Sequence, residues 1–337
     1  MEKLGESIDK LMTIDISARG TIDKLYSAAR SLSDKPLSLA AAEKLQELLQ
    51  QGDRVFIVTG IVMRPNIKPS IAETDGPPGS VVLARALFHA FKAIPVIVTD
   101  EPLAPVISSA LQVVGLNVVS LSGALEAVQA KGYPSVALVE PISEGLQPEK
   151  LKEKFDKIIE KYRPKVAISI ERSSVNDKGF VHNMSGRSFT GRTLMDGLFE
   201  MAKGSGVFTI GIGDGGNEIG MGNIKETVQE FVPFGKKCVC HCGGGIAAAT
   251  KTDLLLPATV SNWGGYAISA MVSAITNKPN VLHTGEMEIR ILDKLAQEGC
   301  IDGILGINEI YVDGLPGKIH AHLIELMKIT VEKGMPK

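Results

Sequence analysis

The sequence predicts an α/β protein: a mostly parallel sheet flanked by helices in three layers, with extra helices at the N- and C-terminal ends. Three observations carry this. Short apolar runs alternate with helical segments from Arg54 onward, the first 50 residues are rich in helix formers, and the last quarter returns to helical periodicity. The N-terminal helices are read from Thr21 to Tyr26 and from Ala40 to Leu49, where good formers recur at helical spacing. The strands are read at Arg54–Thr59, Pro95–Thr99, Leu116–Leu121, Val136–Val139, Val166–Ile170, Val207–Ile212 and Leu254–Leu256. Between them, helices are expected at Ser80–Phe91, Pro148–Tyr162, Gly191–Ala202 and Tyr266–Thr276. Two more follow at Gly285–Gln297 and Gly317–Glu332, the second with Ile319, Leu323, Leu326 and Ile329 as its core stripe. Such runs, apolar along their whole length, suit strands buried on both faces.

The 337 residues are 44% hydrophobic and 22% charged, enough for a sizeable core and unlike a disordered or collagen-like chain. No linker or internal repeat divides them, so residues 1–337 read as one elaborated α/β domain, with lobes at 1–165 and 166–337 as the alternative. Lys and Arg number 36 against 38 Asp and Glu, which leaves no basic excess to follow a nucleic-acid backbone. The start of the chain has no apolar signal core, and the most apolar stretch, Gly264 to Ile275, is too short for a bilayer. Neither membrane nor nucleic acid is an expected partner, and a cytoplasmic location is expected. Oligomeric state is not legible. Four cysteines do not make a disulfide framework. Three of them fall in Cys238-Val239-Cys240-His241-Cys242, where zinc spacing would be C-x2-C with a second ligand pair. The alternation instead reads as a buried strand with its thiols on one face.

Glycine is the outlier, with 14 of the 35 between residues 204 and 265. Ligands of open α/β sheets bind beyond the C-terminal strand ends, and those ends are rich in acids. Thr59-Gly60 leads to Glu73-Thr74-Asp75-Gly76-Pro77-Pro78-Gly79; Val166–Ile170 leads to Glu171-Arg172-Ser173-Ser174 and on to Asn176-Asp177-Lys178-Gly179. Val207–Ile212 leads to Gly213-Asp214-Gly215-Gly216-Asn217-Glu218-Ile219-Gly220, and Asp253 introduces the last run, with Ser261-Asn262-Trp263-Gly264-Gly265 beyond. Singly, these have bland readings: a turn with an N-cap, a surface ion pair, a helix cap. Together they place several carboxylates on one rim, where they repel unless a cation neutralises them. All-oxygen ligation favours Mn²⁺ or Mg²⁺, with Ca²⁺ as a further choice. Gly211-Ile212-Gly213-Asp214-Gly215-Gly216 also fits G-x-G-x-x-G, but Asp214 and Glu218 would oppose a bare phosphate, so no NAD is expected. There is no P-loop, no G-x-S-x-G elbow and no H-E-x-x-H pair, and His182, His241 and His283 are isolated and read as structural.

These motifs resemble the D-glutamate cyclase-like family over nearly the whole chain. The resemblance runs through Asp15 to Gly20, Thr59-Gly60, Glu73 to Gly79, Glu171-Arg172, Asn183 to Gly186, Gly211 to Gly222, Thr252-Asp253, Ser261 to Ala267, Ile301 to Gly303 and Val312 to Pro316. The chain departs from the family pattern at Ser173-Ser174, where Pro-Gly is usual. The resemblance implies conversion of D-glutamate, a small acidic metabolite, to 5-oxo-D-proline with loss of water at an acidic divalent-cation site. Glu73, Asp75, Glu171, Asp214, Glu218 and Asp253 are the implied ligands, and Glu218 and Asp177 the candidates for proton transfer. Arg172 or Arg187 would hold the α-carboxylate, with Asn217 and Asn262 orienting the amine. The same acids would also suit a Mn²⁺- or Mg²⁺-dependent phosphatase for a small phosphate ester, or a metal-dependent binding protein for an acidic metabolite.

Overall fold

A computed structural model of the chain describes residues 1–130, 132, 134–189 and 193–335. The N-terminal segments form α1 (Glu2–Met12), α2 (Thr21–Arg30) and α3 (Leu37–Leu48). Alternating units follow: β1 (Arg54–Val58), α4 (Pro77–Phe91), β2 (Ile94–Asp100), α5 (Ala104–Val113), β3 (Asn117–Val118), α6 (Leu121–Gln129), β4 (Val136–Ile142) and α7 (Pro148–Tyr162). Then come β5 (Val166–Ile170), α8 (Asp196–Gly204), β6 (Phe208–Gly213), α9 (Lys225–Phe231), β7 (Leu254–Pro257), α10 (Ser261–Ile275) and α11 (Gly285–Gln297). A hairpin of β8 (Tyr311–Val312) and β9 (Leu315–Pro316) precedes α12 (Gly317–Gly334).

The described strands form a seven-stranded sheet in the order β3-β4-β2-β1-β5-β6-β7, and every pair in it is parallel. The strands that flank the central β1, namely β2 and β5, are buried along their whole length, as a sheet covered on both faces requires. The right-handed crossover rule puts α4 and α5 on one face and α6, α7 and α8 on the other, and α10, which follows the last strand of the sheet, packs on α4. Helices α1, α3, α11 and α12 extend the first layer. The three-layer α/β class read from the sequence is the observed one.

Three departures have local causes. The 116–121 run pairs only at Asn117–Val118, because Ser120 accepts from the Gly123 amide and starts α6 there. Helix α8 begins at Asp196 rather than Gly191, and residues 190–192 lie outside the described residues. Helix α10 begins at Ser261, five residues before the expected start, because the Asp75 carboxylate accepts from the Ser261 and Asn262 amides, both at 2.8 Å. That cap comes from 186 residues away.

On α12 the core face is His320, Leu323, Ile324, Met327 and Val331, whereas Leu326 and Ile329 are 49% and 46% exposed. The expected stripe lay about one position off the true one. Residues 238–242 form turns instead of a strand, with the Val239 amide donating to Gly186 O at 3.0 Å.

The first turns of α4 and α10 meet backbone to backbone. A Cβ on Gly79 would lie 2.8 Å from Asn262 Cα, and one on Gly265 would lie 2.8 Å from Gly79 O. Behind this contact, Trp263 Nε1 donates to His320 Nδ1 at 2.9 Å, and the Tyr266 hydroxyl donates to Glu288 at 2.7 Å. His283 Nε2 lies 3.1 Å from the other Glu288 oxygen. The helix start that caps Asp75 is thereby held from both sides. Gly265→Ala is expected to destabilise the chain by about 1–3 kcal/mol through overpacking against α4. Urea unfolding of wild type and variant measures it.

Candidate functional site

Strand β1 connects outward to β2 on one side and pairs β5 on the other, so the sheet has its topological switch point between β1 and β5. The pairing Ile170↔Ile212 sets Glu171, the first residue after β5, beside the end of β6, and Asp214 is the first residue after β6. The Glu171 amide donates to Ile212 O at 3.2 Å, and Glu171 adopts φ +50°, a left-handed conformation uncommon outside glycine. Such strain persists where surrounding structure over-determines it.

Two carboxylate triads meet at this rim and share Asp214: Asp75 with Asp214 and Asp313, and Glu171 with Asp214 and Glu218. Within each triad the oxygens that face one another lie within 4.8 Å. Backbone amides fix the geometry. Asp75 accepts from Gly76, Ser261 and Asn262 at 2.8–2.9 Å. Glu218 accepts from Gly215 at 3.1 Å and Gly216 at 2.8 Å, and its folded-back carboxylate needs Gly213, whose Cβ would lie 2.6 Å from Oε2. Glu171 accepts from the Ser261 hydroxyl at 2.5 Å.

Asp313 was absent from the sequence-derived ligand set. It occupies the Asp-Gly turn of the β8–β9 hairpin, with φ +50° at Asp313 and +75° at Gly314, and the turn directs its carboxylate into the cluster. The buried Asp302 holds this turn by accepting from the Gly314 amide at 2.8 Å. The Asp-Gly hairpin signal in Tyr-Val-Asp-Gly-Leu-Pro was readable, but nothing local places that hairpin over a strand end 100 residues earlier.

Burial pushes the Asp75 carboxyl up to about 6, against the pull of the amides that donate to it. Burial also raises Glu218 to about 7, with Asp75 adding repulsion and the Gly215 and Gly216 amides opposing. Glu171, Asp214 and Asp313 lie well above the usual carboxylate range through burial and repulsion from their neighbours. Glu73 stands outside both triads but close enough to raise Glu171, Asp214 and Asp313. Among the described residues no Lys, Arg or His forms an ion pair with any of the five. An all-oxygen, self-repelling donor set held by fixed amides fits a hard divalent cation.

The remaining sequence-derived candidates sit elsewhere or are otherwise engaged. Asp253 precedes β7, at the opposite edge of the parallel sheet from the residues that follow β5 and β6. There it accepts from Thr209 N and Oγ1 at 2.9 and 2.8 Å and pairs with Lys203 at 2.8 Å. Asp177 is exposed and pairs with Lys225 at 2.9 Å. Arg172 is buried and bidentate to Asp100 at 2.7 and 2.9 Å, and it also donates to the carbonyls of Gly60 and Thr193. With its guanidinium occupied, it fastens the loops after β1, β2 and β5 and is no carboxylate clamp. Asn262 is likewise engaged: Oδ1 accepts from Gly76 and Gly79 at 2.9 and 2.7 Å, and Nδ2 donates to Thr74 O at 3.2 Å.

Asn217 and Arg187 differ. Asn217 Nδ2 donates to His182 O at 2.8 Å, while its buried Oδ1 has no hydrogen-bond partner among the described residues. That oxygen and Glu218 Oε1 both face Gly215, each 2.9 Å from where a Cβ would stand. Arg187 is exposed, on a loop whose Met184 sulfur also packs on Gly215. At Ser173-Ser174 the chain pairs with the Glu218 segment: Ser173 bridges Glu218, and the Ser174 amide donates to Asn217 O at 2.8 Å.

A doubly wound parallel sheet with buried and half-buried carboxylates gathered at its switch point defines an α/β protein with an acidic candidate site. The chain belongs to the D-glutamate cyclase-like family, since the family model described as "D-glutamate cyclase-like, C-terminal" matches residues 8–328. The human protein "D-glutamate cyclase, mitochondrial" is 28% identical over 322 residues, covering 84% of this chain and 46% of the human one. The chain thus spans under half the length of that relative. Among the described residues no helix is long and apolar enough to cross a membrane.

The raised carboxyls bind protons more tightly in the folded than in the unfolded chain. Their contribution is favourable below the unfolded value of about 4 and is lost as pH rises through Asp75 and then Glu218. In chelator, melting temperature is expected to fall between about pH 5 and about pH 8, and the Mn²⁺-induced rise to grow over the same range. Asp214→Asn, which relieves both triads, should raise the melting temperature in chelator and abolish the Mn²⁺ effect. Thermal melts across pH, with and without Mn²⁺, check both.

Proposed function

We propose that the chain cyclises D-glutamate to 5-oxo-D-proline with release of water. The observation that carries this reading is the buried and half-buried carboxylate cluster beside Asn217 Oδ1, which has no partner among the described residues, in a chain of the D-glutamate cyclase-like family. In the reaction the amine nitrogen bonds to the γ-carbon, one γ-carboxylate C–O bond breaks, and two ammonium protons leave with that oxygen as water. A Mn²⁺ or Mg²⁺ ion held by Asp75, Asp214 and Asp313 would neutralise the γ-carboxylate and polarise its C–O bond.

The protein groups supply the rest. Asn217 Oδ1 accepts an ammonium hydrogen and aims the nitrogen. Glu218, titrating near 7, accepts the ammonium protons and passes them to the departing oxygen. Arg187 holds the α-carboxylate from the loop over Gly215. Asp75 and Glu171, fixed by the start of α10, keep the pocket's charge in place.

A second reading rests on the sharing of Asp214 by two triads, an arrangement that suits two bridged cations and phosphate-ester hydrolysis. Turnover of the Mn²⁺-loaded chain with D-glutamate and with a panel of small phosphate esters separates the two. Formation of 5-oxo-D-proline is expected; phosphate release alone would replace the cyclase reading. Arg187→Ala is expected to raise KM for D-glutamate about ten- to hundredfold, the worth of a charged hydrogen bond, with an unchanged melting temperature. Steady-state kinetics and a thermal melt measure this.

A further inference from the structure

A second cluster lies beside the carboxylate rim and is chemically distinct from it. His182, Cys238, Cys240 and Cys242 each offer one ligand atom, and the four atoms lie within 4.8 Å of one another. The sulfurs stand 3.3–3.4 Å apart, and His182 Nε2 is 3.2 Å from Cys240 Sγ and 3.5 Å from Cys242 Sγ. In the extended strand read from Cys-x-Cys-x-Cys, alternate thiols would be about 6.7 Å apart. The turns after Cys238 bring them together instead. Tetrahedral zinc with bonds of about 2.3 Å to sulfur has edges of about 3.8 Å, so a small outward shift of the thiols would admit the ion.

From this geometry we propose that His182, Cys238, Cys240 and Cys242 form a structural zinc site. Four protein ligands of the Cys3His type close the coordination sphere, which is the signature of a structural rather than a catalytic zinc. The surroundings suit thiolates. Cys242 Sγ accepts from the Gly244 amide at 3.4 Å and lies 3.6 Å from Asn176 Nδ2, contacts that orient a ligating sulfur. His182 is buried, and its ring proton would sit on Nδ1, leaving the Nε2 lone pair for the metal. Cys300, by contrast, packs as an isolated core thiol far along the chain.

The site would clip two irregular segments, 175–188 and 238–245, which otherwise meet through few bonds: Val239 N to Gly186 O at 3.0 Å and Asn176 Nδ2 to Gly245 O at 2.7 Å. The clip reaches the carboxylate rim, because His182 O receives Asn217 Nδ2 at 2.8 Å. The zinc would therefore brace the segment that carries Asn217 and Glu218 without touching the reacting groups. The inference is independent of which reaction the rim performs.

Metal analysis of the full chain purified without chelator tests it, together with visible spectra after Co²⁺ replacement. The expected result is one zinc per chain, retained in Asp214→Asn and lost in Cys240→Ser. Co²⁺ should give a thiolate charge-transfer band and the intense ligand-field bands of a tetrahedral site. If Cys240→Ser does not fold, the Co²⁺ spectrum of the wild-type chain decides. Zinc well below one per chain with no charge-transfer band would overturn the proposal, as would zinc that Asp214→Asn removes.

Discussion

Mutual repulsion among buried and half-buried carboxylates is the constraint on which the rest of this molecule turns. Asp75, Glu171, Asp214, Glu218 and Asp313 converge with no basic partner among the described residues; burial raises them all, and repulsion from neighbouring carboxylates adds to it at Glu171, Asp214, Glu218 and Asp313. Like charges so placed drift apart or take up protons unless their positions are imposed. Here the imposition comes from backbone. The start of α10 grips Asp75, the glycine loop after β6 wraps Glu218, and the hairpin turn held by Asp302 presents Asp313. A site that repels itself when empty gains affinity for whatever neutralises it.

The rigid frame explains how that geometry can be held. The parallel register of β5 and β6 sets Glu171 and Asp214 side by side, and Arg172 closes the switch point by binding Asp100 and the Gly60 carbonyl after β1. Removing one partner of such a buried pair costs about 3–5 kcal/mol, so Arg172 serves the fold at the very position where a substrate clamp was expected. The glycine contact between α4 and α10 brings Asp75 and Asn262 within bonding distance. Much of the glycine excess thus reflects close approach of backbone to carboxylate and of helix to helix, not flexibility.

The sheet was legible because Val/Ile-rich runs have the length and continuity of buried parallel strands, and Glu171, Asp214, Glu218 and Asp75 were legible because they follow strand ends in glycine-rich loops. Position relative to a strand decided the errors. Asp253 stands before its strand and so faces the far edge, and Asp177 lies far enough into its loop to meet Lys225. Asp313, the early start of α10 and the convergence of Cys238, Cys240 and Cys242 all depend on partners distant in sequence, which no local pattern encodes. The departures share one physical cause: tertiary contacts overrode local periodicity.

The central claim is that the rim binds a hard divalent cation through these particular oxygens. Diffraction from crystals soaked in Mn²⁺, with an anomalous difference map at the manganese edge, tests it most directly. The account predicts a peak at the rim with oxygens from Asp75, Asp214 and Asp313 within about 2.0–2.6 Å. A rim free of anomalous density at saturating Mn²⁺, or a peak held by other residues, would contradict it.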